Sequence, residues 1–165
     1  MKKLLSLVIV ATLVFGTVGF ASVQASTSSA YKAVKKAYGK NFPTEKKIAK
    51  KNYFGSYSKV IGSVSTKSLK SYKKAQKYKG KSKKTNYLCV IVQAKKKSSV
   101  KGIKAKFKKY ITSEKNGAAK RGYYSKTGKK FLNNAKVGSK GNYVYLFMLD
   151  ASGNKKAISA FKRAA

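Results

Sequence analysis

The chain of 165 residues carries 40 lysines and arginines against three acidic residues and no histidine, a formal net charge of +37. Without histidine, and with Cys89 as the single cysteine, histidine-based metal and catalytic sites and an internal disulfide framework are excluded. A hydrophobic content of 42%, with 12 Tyr and 8 Phe, is nevertheless enough for a packed core and argues against a disordered basic tail.

The first 25 residues follow the plan of an export signal. Lys2 and Lys3 form a positive start, Leu4 to Phe20 an apolar stretch, and Val23-Gln24-Ala25 a small-x-small cleavage site, with the cut expected after Ala25. The alternative is an uncleaved anchor, since the stretch is only slightly short of the roughly 20 apolar residues a spanning helix needs. No cysteine lies near the cut, so the lipoprotein route is closed. Cleavage would remove Lys2 and Lys3, lowering the charge from +37 to +35 on 140 residues.

Beyond the polar leader Ser26 to Ser29, the spacing of Tyr31, Val34 and Tyr38 predicts a short helix over residues 29–38, stopped at Gly39. Residues 44–66 hold apolar clusters broken by glycine and read either as short strands or as ordered loop. Leu69, Tyr72 and Ala75 then predict a second short helix, followed by an exposed loop over residues 79–84. Of the tyrosines set among these lysines, Tyr72 reads as core, and Tyr78 as core or as a stacking surface.

From Thr85 the pattern sharpens. Tyr87 to Val92 is a β-branched and apolar run that predicts a buried strand, in which Cys89 is a core thiol. Ser98 to Lys115 places Val100, Ile103, Phe107, Tyr110 and Ile111 on one face of a helix, with Ser98 or Ser99 as cap and Asn116-Gly117 as stop. A hairpin follows: Asn134 to Val137, a turn over Gly138 to Asn142, and the run Tyr143 to Leu149, covered on both faces. Asp150 to Asn154 turns the chain into a last short helix through Ile158 and Phe161. The expected fold class is therefore α+β, a small antiparallel or mixed sheet packed by helices in a single domain after the leader. Residues 26–84 form its lysine-rich N-terminal portion and residues 85–165 its strand-helix-strand-strand-helix core.

The run Asn86-Tyr87-Leu88-Cys89-Val90-Ile91-Val92, the helix after Lys95, Ala135-Lys136-Val137 and Gly141-Asn142-Tyr143-Val144-Tyr145-Leu146 together resemble the bacterial family called domain of unknown function 4358. The resemblance covers about residues 85–150. It implies a small exported envelope protein of Gram-positive bacteria, and carries no functional residues with it. Members are often lipoproteins; this chain departs in lacking that cysteine and in its lysine content.

No catalytic, cofactor or metal site is expected. The acidic residues Glu45, Glu114 and Asp150 lie on three separate segments, so paired-carboxylate hydrolysis would need an improbable convergence. Glu114 is expected to pair with a nearby lysine at its helix end. Lys126-Thr127-Gly128 and Ser152-Gly153-Asn154 imitate pieces of a serine-lysine penicillin-binding site, but in the wrong order and on too short a chain.

What remains is charge. Lys101, Lys104, Lys108 and Lys115 fall on one flank of the predicted 98–115 helix, either a solvated face or an anion-binding stripe. Arg121 and Arg163 are the only arginines. Lysine is a hydrated point charge, whereas arginine makes the bidentate contacts of sequence-specific reading, so a loose, salt-sensitive attraction to a polyanion is what this inventory fits. The expected partner is an anionic cell-wall polymer or other polyanion, and the expected location is secreted or extracytoplasmic, in the cell envelope. Extracellular nucleic acid is the alternative ligand, and no small-molecule substrate is evident.

Overall fold

The structure, a computed structural model, describes residues 25–40, 42–43, 68–79 and 85–165. The leader, the 44–66 segment and nearly all of the 79–84 loop lie outside these residues, as do the side chains of Tyr72 and Tyr78.

The described elements are α1 (Thr27–Tyr38), β1 (Leu69–Lys79), β2 (Thr85–Ala94), α2 (Ser99–Glu114) with a π turn over Lys115–Ala119, α3 (Lys126–Asn133), β3 (Lys136–Lys140), β4 (Tyr143–Met148) and α4 (Ala151–Ala164). Four strands form one antiparallel sheet in the order β1-β2-β4-β3. This is the expected α+β domain, with helices on both faces.

Alternation along the two central strands builds the two faces. Leu88, Val90, Val92, Val144, Leu146 and Met148 meet Ile103 and Phe107 of α2 and Phe131 and Leu132 of α3. Cys89, Ile91, Tyr145 and Phe147 instead meet Ala30, Tyr31 and Val34 of α1 and Ala157, Ala160 and Phe161 of α4. Because both faces are covered, residues 87–92 of β2 and all of β4 are apolar, as a doubly buried strand must be. Each large side chain so buried contributes about 1.5–3 kcal/mol, and these terms offset the mutual repulsion of the surface lysines.

Three helices have side-chain caps. Ser26 and Ser29 form a reciprocal capping box at α1, the Ser125 hydroxyl accepts from the Gly128 N–H at α3, and Asp150 accepts from the Gly153 N–H at α4. The Lys-Thr-Gly string is thus the first turn of α3, a helix the periodicity does not predict.

Several expectations change. Residues 69–75 are strand, not helix: Leu69–Lys79 pairs along its length with β2, from Leu69 opposite Ala94 to Lys79 opposite Thr85. Three apolar residues at spacing 3 are a weak helix signal, and pairing with a buried strand overrides it. The 98–115 helix does not stop at Asn116-Gly117 but runs on through the π turn, and the chain breaks at Gly122, whose φ of 77° suits glycine. Neither serine caps that helix, since Ser98 is at the N-cap position in helical geometry with no side-chain bond. The hairpin turn is tighter than expected, at Gly141-Asn142, and α4 begins at once after Asp150. Among the described residues no helix is long and apolar enough to cross a membrane.

Candidate anion-binding groove

The apolar stripe of α2 fixes how its lysines are displayed. Ile103 and Phe107 are 2% and 0% exposed against the sheet. Val100, Tyr110 and Ile111 are partly buried beside them. The flank next to this stripe then faces the β3–β4 hairpin, whose Val137 packs on the same core.

Between helix and hairpin lies an open groove of about 620 Å³, lined by Lys97, Lys101, Lys104 and Lys108, with Val100 and Ala105 on the helix and Ser139 and Gly141 on the hairpin. Lys97, Lys101 and Lys108 are exposed and Lys104 half-buried. Gly141 has φ of 53°, a conformation the two-residue turn requires and a side chain would strain.

The groove is electrostatically uncompensated. Among the described residues its lining includes no carboxylate. No acidic residue lies in the first turn of α2, so Lys97 and Lys101 stand at the positive end of the helix dipole, where cations are disfavoured. Like charges three and four residues apart add a few tenths of a kcal/mol each.

The structure brings Lys101, Lys104 and Lys108 together and sets Lys115 apart. Lys115 is the first residue past α2, where the helix runs on into the π turn, and it lines a separate cleft of about 300 Å³ with Asn116, Lys120, Lys129 and Asn133. Lys97 completes the row in its place. Lys97 shares the angular phase of the other three but precedes the helix. Ser139 and Gly141 leave no sequence signal, because they reach the groove only through the docking of the hairpin.

The described carboxylates are held elsewhere. Glu114 accepts a 2.7 Å hydrogen bond from the Tyr124 hydroxyl instead of pairing with a lysine, and Asp150 accepts one of 2.8 Å from Tyr38. Tyr124 belongs to the core on the α2/α3 face and Tyr38 packs on the opposite one, so these two acids do not converge; Glu45 lies outside the described residues. Burial raises the Asp150 pKa, but bonds from the Gly153 N–H and Tyr38 and the charge of Lys156 outweigh it and hold the group below its usual value. Among the described residues no cluster of three or more metal-ligating side chains occurs.

Exposed lysines also lie outside the groove and that second cleft. They include Lys32, Lys35 and Lys36 on α1, Lys126 and Lys130 on α3, and Lys155, Lys156 and Lys162 on α4. Both outer layers are therefore cationic. Tyr123, 52% exposed, carries the Arg121 guanidinium 5.6 Å from its ring centroid.

Residues 68–149 match the model of the family described as Domain of unknown function (DUF4358), and through them the chain belongs to that family. The match spans the sheet with α2 and α3, while α1 and α4, which cover the other face, lie outside it. No curated protein and no solved structure matches the chain.

Proposed function

We propose that this DUF4358 domain is a non-enzymatic, exported protein of the cell envelope that associates electrostatically with an anionic surface polymer. The observation that carries the reading is the row Lys97, Lys101, Lys104 and Lys108 in one groove whose lining, among the described residues, holds no carboxylate. A bound polyanion would relieve the repulsion among these lysines and stabilise the folded domain by mass action. The leader Met1 to Ala25 supplies the export half of the proposal, and the charge of +37 supplies a means of retention.

Sedimentation with isolated cell walls tests it. The protein is expected to bind walls that keep their phosphate polymers and to remain in solution with walls stripped of them; equal binding to both sinks the proposal. Affinity should fall linearly with salt on a log-log plot, with a slope of about −3 if four lysines each displace one counterion from a flexible strand.

The Arg121–Tyr123 pair favours a second reading, non-specific binding of extracellular nucleic acid, because an exposed ring beside a guanidinium is a stacking surface for bases. Competition between wall polymer and single-stranded DNA separates the two. A large loss of DNA binding in Tyr123→Ala, with wall binding intact, would favour the nucleic acid.

A further inference from the structure

We infer that the groove between α2 and the hairpin takes a single flexible phosphate chain without rings, such as a polyol phosphate or inorganic polyphosphate, and discriminates against strands of bases or sugars. The inference rests on the polyanion reading and narrows its ligand class.

Three features of the groove carry it. The first is the lining. Besides four ammonium groups it offers the small aliphatic side chains of Val100 and Ala105, a serine and a glycine, and among the described residues no aromatic ring or guanidinium. Base–aromatic stacking contributes about 1–3 kcal/mol per base where a platform exists, and here a base would enter without one. The exposed Tyr123 and its Arg121 are not among the groove residues. The ring-binding chemistry and the lysine row are thus on separate surfaces.

The second is the linear arrangement. Lys101 to Lys108 spans about 10 Å along the helix at 1.5 Å per residue, in steps of roughly 4.5–6 Å, and Lys97 extends the row from the turn before it. Point charges repeated along a line suit a chain whose own charges repeat. Lysine imposes no bidentate geometry, so the charge spacing of the ligand matters more than its stereochemistry.

The third is size. At about 620 Å³ the groove has the volume of a site for a drug-sized molecule. That accommodates a short stretch of one strand and leaves a duplex touching only the rim. The Val100 and Ala105 surface between the ammonium groups is matched by the methylene linkers of a polyol phosphate, or left uncovered by polyphosphate.

The experiment measures binding of the purified protein to poly(glycerol phosphate), inorganic polyphosphate and a single-stranded oligodeoxynucleotide with equal numbers of phosphates, at one ionic strength. Two variants are compared. One combines Lys97→Gln, Lys101→Gln, Lys104→Gln and Lys108→Gln; the other combines Lys32→Gln, Lys35→Gln, Lys155→Gln and Lys156→Gln on the opposite layer. Both lose four charges from the surface, so the second controls for net charge and folding.

The wild type should prefer the ring-free chains severalfold, because the bases bring bulk into the groove that no stacking contact there repays. The groove variant should lose that preference and flatten the salt slope by about 3, while the opposite-layer variant keeps the preference. Either ring-free chain in the lead supports the inference, and their order names the source of the phosphate. Equal affinity for the oligonucleotide, or an equal loss in both variants, overturns the inference and leaves the electrostatic proposal standing. Failure to bind any of the three probes overturns both.

Discussion

The hydroxyl of Tyr38, at the last residue of α1, donates a hydrogen bond of 2.8 Å to Oδ2 of Asp150, the N-cap of α4, across 112 residues of sequence. The other carboxylate oxygen of Asp150 accepts from the Gly153 N–H at 2.7 Å. One acidic side chain therefore starts a helix and ties it to its neighbour. Gly153 is part of the joint, since a Cβ there would come within 2.8 Å of Cδ2 of the Tyr38 ring.

Removing the tie should be measurable in urea. Tyr38→Phe should cost about 1 kcal/mol, the net value of one hydrogen bond, and Asp150→Ala roughly 1–2 kcal/mol more through loss of the cap. Because the folded-state pKa of Asp150 is depressed, its contribution is fully present above the unfolded value near 3.9 and is lost as pH falls through the folded value. The stability gap between wild type and Asp150→Ala should therefore narrow below about pH 4. A gap independent of pH would show that the carboxylate charge contributes nothing.

Gly138 makes room for Tyr145 on the neighbouring strand. A Cβ at 138 would stand 2.5 Å from Cζ and 2.8 Å from Cε1 of that ring, which is stacked on Phe147 and met edge-on by Phe161. Gly138→Ala should cost about 1–3 kcal/mol by overpacking. In a Tyr145→Val background the same change should cost much less, and the difference, read from a double-mutant cycle, measures the steric coupling.

Cys89 lies on β2 with no exposed surface, and burial pushes its thiol pKa upward. A thiol reagent should modify the native protein only at the rate of unfolding and label it fully in denaturant. Fast native labelling at pH 8 would contradict the packing of α1 and α4 over that strand.

Salt should stabilise the domain. Raising ionic strength from about 0.01 to 0.15 M shortens the screening length from about 30 to 8 Å and weakens repulsion among lysines on α1, α2, α3 and α4. The melting temperature should rise, and more in wild type than in the variant lacking the four groove lysines. A flat response in both would show that the lysines are too dispersed to repel appreciably.

The parts of the fold that could be read from sequence were those with an unambiguous local period. Tyr87 to Val92 and Tyr143 to Leu149 are too apolar for anything but covered strands, and α2 shows one clean stripe. β1 escaped although its partner is the next strand in sequence, because its residues, rich in lysine, show no period-2 apolar pattern, and Lys73 opposite Ile91 has no trace in the local pattern. α3 escaped because Lys-Thr-Gly-Lys-Lys-Phe-Leu-Asn holds only two large apolar residues and a glycine; its helix depends on the Ser125 cap and on docking Phe131 and Leu132 to the sheet. The same limits apply to the groove. Lys101, Lys104 and Lys108 follow from the helical wheel, but the wheel does not show what packs beside each turn: Lys115 keeps helical geometry, yet about 10 Å further along the axis it lines another cleft.

The eleven-residue β1 borders the sheet with one side of its backbone unpaired by any other described strand. An edge of that length is a template for pairing with a second copy, and the net charge of the chain works against this by keeping copies apart. That safeguard is colloidal and fails under the conditions that help the single molecule. Salt or a neutralising polymer that quiets repulsion within one domain also quiets it between two, so the best-folded state of this protein is also the one most prone to associate through its edge.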